Sequence, residues 1–224
     1  MRDTTVGREV RAAIEAARSC ALDPVTLVLL EPEHPWSTDV ALHSSWGEVG
    51  ALPVHLRDRL GVTRTDLGEA AAQARLTGDW VPLVAVANAW GYGRSSYGAW
   101  RTSRILALPG VEERVAEAVG VLDVEGPVAA YRWLANEGHL HGWGPAFFTR
   151  FLAAADLRPE GAAVQLTPVT ARSVTRLVAA VGIAAADWPT VDYAFHHALV
   201  HRIAAEFRLA VPVVENALES MPRS

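Results

Sequence analysis

The stretch Leu140-His141-Gly142-Trp143-Gly144-Pro145-Ala146-Phe147-Phe148 constrains the fold more than any other part of the chain. Two glycines around one apolar residue make a turn that no helix continues through. Pro145 suits the first turn of the helix that follows, because its missing N–H would find no helical partner there. The pattern predicts two helices joined by a short hairpin. At the start of the second helix, unsatisfied N–H groups and the macrodipole favour an anion, and the glycines let a phosphate approach the backbone. An ordinary helical hairpin with no ligand has the same signature.

Helical spacing recurs along the chain. Val6, Val10, Ala13, Ile14 and Ala17 share a face in a helix from Val6 to Cys20, which Asp23-Pro24 ends. Further helices are expected from Pro53 to Leu60, from Thr65 to Gly78 and from Pro82 to Gly91, and then over 100–108, 111–121, 127–137, 145–156, 168–182, 190–208 and 211–219. Val25–Leu30 reads as a short strand, 31–52 as irregular chain, and 91–98 as a glycine-punctuated loop. A mainly α bundle is the simplest assembly, with no repeat or linker-like run to divide it.

Composition removes several classes of function. Half the residues are hydrophobic and 20% are charged, which excludes disorder. The longest charge-free apolar run, Trp80 to Gly93, is shorter than the ~18 residues of a membrane span, so no membrane is expected as a partner. The charged start Arg2-Asp3, with Arg8, Glu9 and Arg11 behind it, does not resemble a secretory signal, so the expected location is cytoplasmic, at the nucleoid in a bacterium. Cys20 stands alone and is expected to be a buried small hydrophobe; no disulfide or multi-cysteine zinc site can form within the chain. All 20 basic residues are arginine. Without lysine there is no Walker A loop, no pyridoxal Schiff base and no lysine-dependent lyase. A net charge of −5 disfavours indiscriminate coating of nucleic acid but leaves room for a local arginine face.

No cofactor is expected. His197 and His201 are four apart with His196 beside them, but there is no His-Glu-x-x-His pattern, so no metal site is assigned. His139 and His141 flank the hairpin as loop histidines, or contact a phosphate or base. Gly91-x-Gly93 lacks the spacing of a dinucleotide fingerprint, and no Gly-x-Ser-x-Gly elbow is present.

Several stretches read together carry a resemblance. They are Thr77-Gly78-Asp79-Trp80 through Ala89-Trp90-Gly91-Tyr92-Gly93, Tyr97-Gly98-Ala99-Trp100-Arg101-Thr102-Ser103-Arg104-Ile105-Leu106, and Gly126-Pro127-Val128-Ala129-Ala130-Tyr131. With Gly144-Pro145 to Leu152 and Trp188-Pro189-Thr190-Val191-Asp192-Tyr193, they resemble bacterial proteins of the 8-oxoguanine DNA glycosylase fold, within the helix–hairpin–helix glycosylase superfamily. The resemblance runs from about Gly78 to Leu218. It implies a helix–hairpin–helix glycosylase-like domain at 78–224, with residues 1–77 as a helical extension packed on it. The implied partner is double-stranded DNA with a damaged or modified base. Gly142, Trp143, Gly144 and Pro145 would hold the DNA backbone, Trp143 as a peg between the helices, and Arg94, Arg101 and Arg150 would add phosphate contacts. Tyr92, Arg94 or Tyr97 would fill the stack vacated by a flipped base, or else pack as a structural loop.

Two departures bear on chemistry. Where lyase-competent relatives carry a lysine, this chain has Ala146. Where they carry an aspartate that stabilises the cationic sugar, it has Thr167, and no acidic residue occurs from Gly161 to Ala186. Asp156, Asp187, Asp192 and Glu215 are the remaining candidates for the acid. The expected function is a DNA-binding, base-flipping protein whose base excision is either monofunctional or lost; the competing reading is a non-catalytic module binding DNA, a modified base or a protein.

Overall fold

The structure is a computed structural model and describes residues 2–22, 39–59, 61–158, 160–178, 183–184 and 186–221. Of the described residues 69% are helical, and a single two-stranded sheet occurs among them, so the mainly α expectation holds. Two compact units result: Ser37–Ala162, and the N-terminal helix with the chain from Ala163 onward.

The Ser37–Ala162 unit runs β1 (Asp39–Ala41), a 3-10 turn (Ser44–Glu48), α2 (Val54–Arg57), β2 (Gly61–Thr63), α3 (Arg64–Thr77), α4 (Val81–Tyr92), α5 (Ser96–Leu106), α6 (Val111–Glu125), α7 (Pro127–Ala135) and α8 (Pro145–Ala155). Its centre is α4. Every residue from Leu83 to Ala89 is buried, as suits a helix apolar on all sides, and α3, α5 and α8 enclose it. The one polar member, Asn88, is satisfied on both sides: its Nδ2 donates to Thr102 Oγ1 at 3.3 Å and its Oδ1 accepts from Trp143 Nε1 at 3.0 Å.

β1 and β2 pair antiparallel, Val40 opposite Val62. This replaces the expected helical end at Leu60: α2 stops at Arg57, and Val62 is fully buried in the sheet. β1 and the 3-10 turn fall within the stretch read as irregular, because pairing with a strand 22 residues away leaves no local pattern. Thr63 and Asp66 form a capping box at α3, with Arg59 2.7 Å from the Asp66 carboxylate. Burial alone would raise the Asp66 pKa, but the Thr63 hydrogen bonds and Arg59 outweigh it and hold the group below the usual carboxylate range.

The second unit contains α1 (Arg2–Ser19), α9 (Pro168–Leu177), α10 (Thr190–Phe207) and α11 (Val211–Ser220). α1 begins at Arg2 rather than Val6 and lies along α10, where Arg202 Nη1 donates to the carbonyls of Ala17 (3.2 Å) and Cys20 (2.7 Å). Cys20 is half-buried, not buried, because the helix ends there and leaves the thiol at the rim beside Arg202. α9 ends at Leu177, short of the expected 182. The predicted strand Val25–Leu30 lies outside the described residues. No helix among those described is long and apolar enough to cross a membrane.

Candidate nucleic-acid interface

The α7–α8 hairpin is held from below. Trp143 is 1% exposed, anchored through Nε1 to Asn88 and packed edge-on against Phe148 and Phe151. Gly142 sits at φ +86°, a conformation that side chains other than glycine rarely adopt. Its carbonyl accepts from Arg101 Nε at 2.7 Å, tying α5 to the hairpin. Gly144 is the N-cap of α8, and its carbonyl accepts from the N–H groups of Phe147 and Phe148 at 2.9 and 3.1 Å. No side chain caps this end, and a Cβ at Gly144 would meet nothing within 4 Å. Gly144 therefore faces open space at the start of α8, with half-buried Pro145 next to it.

The segment expected as a loop over 91–98 is mostly helical. Ser95 caps α5, its Oγ accepting from the Gly98 N–H at 3.3 Å, so the break shrinks to 93–95. Its glycines answer to packing. A Cβ on Gly98 would lie 2.3 Å from Tyr92 Cβ, and one on Gly93 would lie 2.9 Å from Val40 Cγ1. The Gly93 carbonyl accepts from Trp46 Nε1 at 3.0 Å and from the His43 N–H at 3.4 Å, which fixes where α5 starts.

This anchoring gathers an aromatic and cationic surface. Tyr92 stacks on Phe147 with ring centroids 4.0 Å apart and planes at 16°, and burial pushes its phenol pKa up. Tyr92 is thus the floor of the surface, which suits the packed-loop alternative better than a wedge. Tyr97 and Trp100 stand out from it, 51% and 59% exposed, with rings 5.5 Å apart. Arg101 is half-buried and also donates from Nη1 to the Tyr97 hydroxyl at 2.6 Å, so it positions rather than reaches. Arg150 donates to the Ala146 carbonyl at 2.7 Å and lies over Phe147. Arg94 is exposed. His139 and His141 are exposed on the hairpin, and Arg114 donates to the His139 carbonyl at 3.0 Å.

The four acid candidates are divided between the two units. Asp156 belongs to the Ser37–Ala162 unit and is held by Arg158, which donates from Nε at 2.9 Å. In the other unit, Asp187 is exposed at φ +56°, and Asp192 lies in the first turn of α10, its carboxyl raised by burial. Glu215 on α11 is buried and accepts from the Gln165 N–H at 2.6 Å. Thr167 is 2% exposed and forms the capping box of α9 with Thr170. Its hydroxyl donates to Glu219 Oε1 at 2.6 Å. Glu219 was not foreseen in the sequence, since it lies 52 residues further on; the visible trace was its i,i+4 spacing from Glu215 on one helix. His196 is fully buried beside this segment. Its Nε2 carries the proton it donates to the Gln165 carbonyl at 2.9 Å, and its Nδ1 has no partner among the described residues.

His197 and His201 have rings 4.5 Å apart in that unit. In the Ser37–Ala162 unit, His55, Asp66 and Glu69 bring possible ligand atoms within 4.8 Å of one another, but the Asp66 oxygens are already engaged by Arg59 and Thr63. A family model described as "Putative 8-oxoguanine DNA glycosylase OGG-like protein" matches residues 32–218. No curated protein and no solved structure matches the chain.

Proposed function

This chain belongs to the 8-oxoguanine DNA glycosylase OGG-like family, and we propose that it binds DNA through the α7–α8 hairpin and the adjoining face of α5, and turns a damaged or modified base out of the stack. The observation that carries this reading is the convergence of an uncapped helix start, open at Gly144, with exposed Tyr97 and Arg94 on one unit. A phosphate suits the N–H groups of Gly144 and Ala146, since Pro145 has none and those of Phe147 and Phe148 donate to the Gly144 carbonyl, and a planar ring offsets the few kcal/mol of unstacking that flipping costs.

Excision, where it occurs, is hydrolytic. Water attacks C1′, the bond to the base nitrogen breaks, the base leaves with the electron pair, and the proton lost by the water ends on the departing base. A carboxylate stabilises the positive charge that develops on the sugar. With threonine at 167, that charge is assigned to Glu219, whose carboxylate the Thr167 hydroxyl already orients. The competing non-catalytic reading is favoured by the same hydrogen bond, because it ties up Thr167 in a cap and a side-chain pair. Incubation with duplexes that each carry one lesion, scoring released base, separates the two. Release that Glu219→Gln abolishes and Asp187→Asn leaves intact supports the enzyme; DNA binding with no release from any lesion supports the module. Borohydride trapping yields no lysine-linked adduct in either case, since the chain has no lysine.

A further inference from the structure

Tyr97 and Trp100 are large aromatic rings more than half open to solvent, one turn apart on α5. Leaving such surface in water is unfavourable, and the helix has a buried face (Ala99, Thr102, Ile105) on which aromatic residues would otherwise be placed. The rings are accompanied by positive charge. The Arg101 guanidinium lies 5.7 Å from the Tyr97 ring centre, and that of Arg104 lies 6.0 Å from the Trp100 ring centre. No carboxylate offsets this charge locally: the sequence has no acidic residue between Asp79 and Glu112, and none between Glu137 and Asp156, in a chain whose net charge is −5. Arg94, Arg101 and Arg104 have no carboxylate partner among the described residues.

An intact duplex presents phosphates and base edges, while the faces of its bases are covered by their neighbours. Only an unpaired base offers a face to an exposed ring. Two rings 5.5 Å apart are also too close to take a base between them, which needs about twice the ~3.4 Å base spacing, so bases would stack on the outer faces. We infer that α5 is a stacking platform for a single-stranded stretch of DNA, with Tyr97 and Trp100 receiving bases and Arg94 and Arg104 following the phosphates. The inference rests on the DNA-binding reading above and narrows its substrate to DNA with unpaired nucleotides beside the duplex.

The test is fluorescence anisotropy of the full chain with three labelled DNAs: a single-stranded oligothymidine, an intact duplex, and that duplex with a two-nucleotide bulge. The wild type is expected to bind the bulged and single-stranded forms more tightly than the intact duplex. Trp100→Ala should weaken those two by about 5- to 150-fold, the range for loss of one stacked base, and the intact duplex, whose base faces are covered, by clearly less. Trp100→Phe, which keeps a π-face, should recover most of the loss. Equal loss on all three DNAs, tightest binding to the intact duplex, or a Trp100→Phe variant no better than Trp100→Ala overturns the platform. So does a dimer in sedimentation that Trp100→Ala dissolves, which would give the rings to a second copy. Duplex binding that survives in Trp100→Ala leaves the broader reading standing even where the platform fails; no binding to any DNA removes both.

Discussion

His196 shows how much a single buried group sets in this fold. Burial lowers its pKa from 6.5 to about 4, only partly opposed by the bond to the Gln165 carbonyl, because a charged imidazole would lose its water without gaining a counter-charge. The folded value lies below the unfolded one. Its contribution is therefore fully present above pH 6.5 and is lost as pH falls towards 4, where the unfolded chain takes up a proton that the folded chain refuses. Over that window the loss is on the order of 3 kcal/mol. Urea unfolding at pH 7 and pH 5 should show the wild type losing stability on acidification, and His196→Gln losing clearly less. Equal slopes for the two proteins would mean that His196 does not carry the effect.

At the scale of elements, the hairpin separates positions that hold the fold from one that packs against nothing. Gly142 needs its positive φ and Trp143 needs Asn88, so substitution at either acts through stability. Asn88→Ala would strand the Trp143 N–H in the core, costing about 1–3 kcal/mol. Gly144 differs, with φ −82° and nothing near its missing side chain. Gly144→Val should unfold at nearly the same urea concentration as the wild type while its DNA affinity falls at least several-fold, whatever the base sequence, because the new methyls occupy the phosphate approach. Unchanged affinity would take the start of α8 out of the interface. On the other unit, the Thr167–Glu219 pair joins the N-terminus of α9 to α11, a link between elements that no short motif announces.

For the whole molecule, the relevant quantity is the placement of charge rather than its total. An acidic protein binds DNA only where its arginines escape its carboxylates, and the stretches between Asp79 and Glu112 and between Glu137 and Asp156 provide that. Affinity should therefore fall with salt as a few phosphate contacts require, and Arg94→Ala should flatten the log–log slope by about 1 without changing any lesion preference. A titration from low to moderate salt checks this; a slope near zero would point to a partner that is not nucleic acid.

By itself the sequence determined what is local. The helical class, the Gly142–Gly144 turn with Pro145 opening α8, and the exclusion of lysine chemistry follow from residues a few positions apart, whose effects act within one turn of backbone. Tertiary structure decided what depends on distance. Gly93 and Gly98 read as loop residues until Val40 and Tyr92 are seen against them, and β1 could not be found without its partner β2. Tyr92 and Tyr97 looked equivalent in the sequence; stacking on Phe147 sinks one and leaves the other open. Glu219 reaches Thr167 only because α11 returns to the start of α9, and hydrogen bonds between residues 52 apart leave no periodicity to read.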